Sequence, residues 1–367
     1  MRKTISLTVL LISLVFFYCK KDHKIEEPEP VPSSPKKLVI DALLTNLQIP
    51  WGMAELPNGD LLFSERSGRI NLLKKNETQK KNLYTGQVQQ NGEGGMLGIC
   101  IDPLFSTNHY VYAYETTDSN RIVRFKLEND VLTKDKVILG GIPQAQNHDG
   151  GALKFGPDGY LYVGTGDVTQ GTLAQDKNSL AGKILRIDRE GAPVSGNPFN
   201  SRIWTYGHRN VQGITWTHTG LMLATEHGPS GESGWIAHDE INIISPGKNY
   251  GWPLARAGTE TDSLTPPLIH SGNDTWAPSG CVWLGPSSIW PNCLVVGALR
   301  GKRLLRIYID PISKQVISQK DTLSGTFNRL RNIIENQDGS LIFGSSNVGT
   351  QGSELPEDDK IYKLHLK

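Results

Sequence analysis

The strongest constraint on the fold of this chain is a hairpin grammar that recurs along it. Four segments read as an apolar strand, a turn with a polar residue (Asn or Asp in most) before Gly, and a second apolar strand. They are WGMAELPNGDLLFSE from Trp51, GALKFGPDGYLYVGTGD from Gly151, GITWTHTGLMLATEHGP from Gly213 and RNIIENQDGSLIFGSSN from Arg331. Two looser copies, GICIDPLFSTNHYVYAYETT from Gly98 and GCVWLGPSSIWPNCLVVGAL from Gly280, complete six. Glycine supplies the positive φ that such turns need. The 39 glycines and 21 prolines of the 367 residues agree with many tight turns and short strands. Further strands fall between the hairpins: RIVRFKL from Arg121, KILRID from Lys183 and RLLRIYI from Arg303. Long helical patterns are absent. Six hairpins spaced about 50 to 70 residues apart predict an all-β, six-bladed propeller of four-stranded antiparallel blades. No blade can bury its faces alone, so the ring must close, with the two chain ends meeting in one blade.

The N-terminus reads differently. Arg2 and Lys3 precede an apolar run from Ile5 to Tyr18, and Cys19 follows. A membrane span needs about 20 apolar residues, so this shorter run predicts a signal peptide over residues 1–19. A cysteine directly after such a run resembles the lipobox of bacterial lipoproteins, in which that residue is acylated. Phe17 and Tyr18 are bulkier than the small residues usual before it. The chain is therefore expected to be exported, periplasmic or lipid-anchored in the cell envelope, with membrane contact only through that anchor. Residues 20–37, KKDHKIEEPEPVPSSPKK, predict an extended, disordered tether, since proline and charge leave nothing apolar to bury. The propeller domain then spans 38–367.

A net charge of +1, with no basic block, provides no field for holding nucleic acid. Cys100, Cys281 and Cys293 form no CxxC or Cys/His cluster that would suggest zinc. Cys100 reads as a core residue. Cys281 and Cys293 flank a turn-rich segment and are either a disulfide across a hairpin or two buried thiols.

Turn grammar is common to many propellers and carries no chemistry. The loops carry it. In order along the chain stand GEGGMLG, NHDGGALKFGPDGYLYVGTGD, AQDKNSLAGKILRID, YGHRNVQG, EHGPSGESGWIAHDEIN, GKNYGWP, WAPSG, GALRGKRLLRI and FNRLRNI. This series resembles the soluble pyrroloquinoline quinone (PQQ)-dependent aldose sugar dehydrogenases, the glucose/sorbosone dehydrogenase family, over nearly the whole chain after residue 37.

The resemblance implies roles that the residue types can fill. His148 would be the general base, taking the proton of the sugar's anomeric hydroxyl while hydride moves to the quinone. Asp167 would orient it and fix its tautomer. Arg209 and Asn210 would meet the reactive carbonyl side of the cofactor, the guanidinium stabilising charge that develops there. Arg329 and Arg331 alternate along a strand, face one side and suit the carboxylates of the quinone. Arg300 falls where the family usually has lysine. The resemblance also implies a catalytic Ca2+ on the backbone carbonyls of Gly228 and Pro229, acting as a Lewis acid, with His227 and Asp239 beside it as cofactor contacts. Asp239 follows an apparent insertion. Glu240 and the backbone of Tyr250 would hold a second, structural Ca2+. Glu93 departs from the pattern, standing where the family tends to have glutamine against the cofactor. A carboxylate there opposes a tricarboxylate unless it is protonated, turned away or paired with a cation.

The expected function is oxidation of an aldose at the anomeric carbon to the lactone, with electrons passed to an external acceptor. No Gly-rich dinucleotide fingerprint follows a strand, which agrees with a chemistry that uses no nicotinamide. Two other classes compete. A cofactor-free propeller binding glycan or protein predicts disrupted histidine and arginine positions, and here only Glu93 points that way. A metal-dependent propeller hydrolase needs carboxylates and amides converging on the axis, which the EHGP loop does not supply.

Overall fold

The computed structural model describes residues 37–310, 312–350 and 353–367; the expected signal peptide, Cys19 and tether residues 20–36 lie outside them. The described strands form six four-stranded antiparallel sheets, the predicted propeller. Each of the six hairpins supplies the two innermost strands of one blade. The innermost strands are Pro50–Glu55, Met96–Ile101, Leu153–Phe155, Val211–Trp216, Pro278–Trp283 and Leu330–Glu335. RIVRFKL, KILRID and RLLRIYI are third strands of their blades. In the last blade the order is Leu38–Leu44, Ile361–Leu366, Leu341–Ser345, Leu330–Glu335, so the first strand of the domain pairs with the last and shuts the ring.

The core sits between blades rather than within them. Six apolar clusters fill the six interfaces; one joins Leu62, Ile70 and Leu72 of the first blade to Val111, Val123 and Phe125 of the second. Another joins Leu44 and Leu47 of the entering chain, with Met53 and Phe63, to Ile342 and Ile361 of the last blade. Burial of such side chains stabilises by roughly 1.5–3 kcal/mol each, and here that gain exists only once neighbouring blades meet. The same arrangement decides the cysteines. Cys281 faces the cluster shared with Leu223 and Ile241, and Cys293 the cluster shared with Leu341 and Phe343, on opposite faces of one sheet. Both are free buried thiols, as is Cys100. Of the two alternatives, the disulfide is the one the fold does not take.

Near the axis the blades touch through backbone. A Cβ on Gly98 would stand 2.2 Å from the carbonyl oxygen of Gly151 in the next blade, and one on Gly213 would stand 2.5 Å from the carbonyl oxygen of Ser279. Five of the six innermost strands carry a register shift close to their start, between Pro50 and Met53, Met96 and Ile99, Val211 and Gly213, Pro278 and Cys281, and Leu330 and Ile333. Bulges of this kind re-aim side chains beside functional sites. Here they present Trp51, Gln212, Ser279 and Arg331 toward one end of the axis, where the conspicuous loops gather. A cavity of about 480 Å³ continues along the axis among the innermost strands, lined by Glu55, Lys154, Cys281 and Gln337 among others.

Candidate active site

His148 lies in the loop entering the third blade, held at φ 64° with its side chain buried. Its Nδ1 is 2.6 Å from Oδ1 of Asp167, the residue ending the second strand's GTGD. The other oxygen of Asp167 accepts the indole N–H of Trp252 at 2.6 Å, and Oδ1 also takes the backbone N–H of Thr169. Asp167 is thus a carboxylate fixed by three donors, and it directs the hydrogen of the imidazole to Nδ1. Nε2 is left with its lone pair unused by any hydrogen bond among the described residues, the arrangement a general base needs.

Glu93 is not idle in this geometry. Its Oε2 accepts the backbone N–H of His148 at 3.0 Å and the side-chain amide of Asn210 at 3.1 Å. Oδ1 of Asn210 in turn accepts Gly150 N–H at 2.9 Å. Asn210 is fully buried, and both ends of its amide are used in bracing the His148 loop. Glu93 also lies within the field of Arg66, Arg329 and Arg331. Of the three ways a carboxylate tolerates that position, Glu93 takes the second: it is turned away onto the His148 loop, with the arginines' field beside it.

Those arginines form the cationic wall. Nε of Arg329 donates to the Ser346 carbonyl and Nε of Arg331 to the Ser346 hydroxyl, so both side chains do face one side, as their alternation predicts. Arg331 also donates to Gln212 at 3.1 Å and stacks over Trp51 at 5.6 Å. Burial first, then Arg329 and Arg66, push its pKa down to about 9. Arg300 is exposed at the rim and adds to the crowding of Arg329. A buried crowd of like charges is costly unless an anion completes it.

Arg209 is buried opposite His148, beneath the ring of Trp252 at 5.6 Å. Its backbone N–H is taken by Glu226, which also accepts from His208. Its Nη1 reaches the carbonyl of His227 at 3.2 Å. Burial and the neighbouring Arg209 and Arg331 hold His227 well below the ordinary histidine range, so its ring is neutral. Buried nitrogens without a partner converge here: Nε of Arg66, Nε of Arg209 and Nε2 of His227. Together with the arginine wall they fit a planar group bearing several carboxylates.

Asp239 is placed differently from a cofactor contact. Its oxygens accept the backbone N–H groups of Gly228, Trp276 and Ala277 at 2.7–2.9 Å, so it brackets the loop that carries Gly228 and Pro229. Among the described residues the carbonyls of Gly228 and Pro229 accept no hydrogen bond, which leaves them open to a hard cation. Glu240 pairs across the sheet with Glu226, and burial together with Glu226 raises its pKa well above the carboxylate range. Asn242 donates to Glu240 at 3.0 Å while its own Oδ1 has no partner. Two facing carboxylates and an unused amide oxygen suit a second cation near Tyr250. Among the described residues no group of three or more His, Cys, Asp or Glu side chains stands ready for a metal.

Three residues of the site escape sequence reasoning: Arg66, Trp252 and Glu232. Arg66 follows a strand within SERSG and reads as a turn; Trp252 reads as packing. Glu232 lies in the apparent insertion, yet its Oε1 accepts Arg209 Nη2 at 2.6 Å and stands 3.9 Å from Nε2 of His148. The GESG string, a carboxylate between glycines, is the one signal that could have found it.

The comparisons with known proteins agree with this geometry. The family model for glucose/sorbosone dehydrogenase matches residues 47–353. Curated relatives include the aldose sugar dehydrogenase YliI of Escherichia coli, 28% identical over 84% of this chain and 90% of that protein. Quinoprotein glucose dehydrogenase B of Acinetobacter calcoaceticus is 26% identical over 82% of this chain and 84% of its own. Among solved structures, the PQQ-bound aldose sugar dehydrogenase of Streptomyces coelicolor superposes with a TM-score of 0.82 and 35% identity, covering 91% of this chain and 99% of that one.

Proposed function

The chain belongs to the glucose/sorbosone dehydrogenase family, and from that premise we propose that it oxidises an aldose sugar at its anomeric carbon to the lactone, with PQQ and Ca2+ as cofactors. The observation that carries the reading is the His148–Asp167 pair facing Arg209 inside a wall of arginines whose buried nitrogens lack partners. The quinone-bound Streptomyces relative supports the choice of cofactor.

His148 Nε2 takes the proton of the anomeric O–H as C1 gives up its hydride, and Asp167 stabilises the imidazolium that results. Trp252 and Thr169 keep Asp167 oriented against the ring. Arg209, a fixed and buried cation, would stabilise negative charge on an acceptor oxygen placed against it. Arg66, Arg329 and Arg331 would hold the quinone's carboxylates, and Glu93 holds the His148 loop. PQQ, when bound, supplies the hydride-accepting carbonyl. Ca2+ on the carbonyls of Gly228 and Pro229 would polarise it, and a structural Ca2+ at Glu240 and Tyr250 would steady the loop. We place the enzyme outside the cytoplasm, delivered by the N-terminal segment and anchored through Cys19, with electrons leaving to an external acceptor.

Reconstitution tests the proposal. The purified chain is given Ca2+ and PQQ, and cofactor absorbance is followed as aldoses are added. Stoichiometric binding with sugar-dependent reduction is expected, and His148→Ala should still bind the quinone but lose reduction by at least about a hundred-fold. A wild-type chain that leaves micromolar quinone free would end this reading.

A further inference from the structure

Glu232 is a carboxylate at the point where the proposed reaction has no use for one. It sits between Arg209, which should face the acceptor oxygen, and Nε2 of His148, which should face the sugar hydroxyl. A group serving both residues must occupy the space its carboxylate fills. Glu232 belongs to a short finger, closed by a bridge between Ser230 and Ile236 and turned by Gly231 at φ 121° and Gly234 at φ 73°. No atom lies within 4 Å of where a Cβ on either glycine would stand, so both hinge points are free of packing. Arg209 is 3% exposed and pinned by Glu226 and the His227 carbonyl; the Glu232 side chain is 36% exposed. Of this pair the carboxylate is the partner that can leave. It also holds Arg209 through Nη2 alone, while Nε has no partner. An anion offering two oxygens to Nε and Nη2 would make the bidentate contact that Glu232 does not.

We propose that Glu232 is an internal, displaceable anion, a latch that holds Arg209 and covers Nε2 of His148 until an incoming oxyanion or quinone oxygen exchanges for it. The identity of the natural exchanging group rests on the dehydrogenase reading; the exchange itself does not. Trp235, on the same finger, packs edge-on against Trp252 at 6.4 Å, so displacement of the finger changes the environment of an indole directly over Arg209.

Quinone affinity and association rate are measured for the wild type, Glu232→Gln and Glu232→Ala in Ca2+, with tryptophan fluorescence recorded alongside. Both variants should bind at least about ten-fold tighter, the factor expected when a charge-assisted competitor of about 1.4 kcal/mol is removed. The gain should appear as faster association, and the fluorescence change on binding should shrink. Equal or weaker binding in both variants overturns the latch and makes Glu232 a holder of the bound cofactor. If the wild type and both variants all leave the quinone free, the dehydrogenase reading fails and sulfate becomes the probe. A sulfate-induced rise in melting temperature that is larger in Glu232→Gln, and lost when Arg209→Ala is added, still supports the latch; no difference between wild type and Glu232→Gln sinks it.

Discussion

Asp149, one residue beyond the proposed base, is fully buried, and burial pushes its carboxyl up to about 6. Oδ1 accepts Asn120 at 2.9 Å and Ala145 N–H at 3.2 Å, but Oδ2 has no partner. A carboxyl whose folded pKa lies above its ordinary 3.8 favours the folded state when protonated. That contribution is complete below about pH 4 and is lost as pH rises through about 6, an effect of at most about 3 kcal/mol. Asp149→Asn keeps the Oδ1 acceptor and removes the titration. In urea denaturation the variant should gain on the wild type across that window and be the more stable of the two near about pH 8. Parallel pH profiles for the two proteins would show that Asp149 does not titrate there. Legibility at this scale was uneven for a physical reason. His148, Asp167 and Arg209 stand in loop motifs whose order along the chain is informative. The meaning of Glu93 depended on Arg66, Arg329 and Arg331, which arrive from other blades and have no sequence relation to it. Asp239 looked like a cofactor contact because a carboxylate near a turn leaves open whether it faces outward or clasps three backbone amides.

The hairpin was the element that could be read directly, since an apolar strand, a polar–Gly turn and a second strand have one economical conformation. All six became the inner half of a blade. The register shifts at the starts of the innermost strands were not visible, because a bulge adds one residue without changing the alternation over so short a run. They matter for function, since Gln212, Ser279 and Arg331 sit at three of them and join three blades, Ser279 donating to Gln212 at 2.8 Å. Close backbone approach at the same level makes a prediction. Gly98→Ala would force its Cβ against the Gly151 carbonyl, and neither strand can yield without parting the second and third blades. A loss of about 1–3 kcal/mol is expected, the usual cost of overpacking, together with weaker quinone binding because Gly151 follows the His148 loop. Gly140→Ala, whose Cβ would meet only Val137 at 3.8 Å, is the control and should change stability by less than about 0.5 kcal/mol. Equal losses in the two variants would mean that the axial contact is not what constrains Gly98.

Across the whole molecule, ring closure assembles charge that no single blade could hold. Arg66 comes from the first blade, Arg209 from the loop into the fourth, and Arg329 and Arg331 from the last, the blade sealed by pairing Leu38–Leu44 with Ile361–Leu366. Closing the ring therefore brings buried cations together, and burial lowers the pKa of Arg66, Arg329 and Arg331 alike. The cost is borne by the empty fold and is offset when an anion binds, which makes stability and cofactor affinity opposing quantities. Arg66 separates them best, because Glu93 is its nearest compensation and its buried Nε has no partner. Replacing it by methionine keeps most of the volume and removes the charge. Without cofactor, Arg66→Met should melt at or above the wild-type temperature. With quinone at about a hundred times the wild-type Kd, the wild type should gain about 2.7 kcal/mol and several degrees, and the variant distinctly less. Scanning calorimetry with and without quinone and Ca2+ makes the comparison. A variant that melts lower when empty yet keeps the full shift would show that Arg66 is a structural residue of the first blade, and that the arginine wall is held together by the fold rather than kept for a ligand.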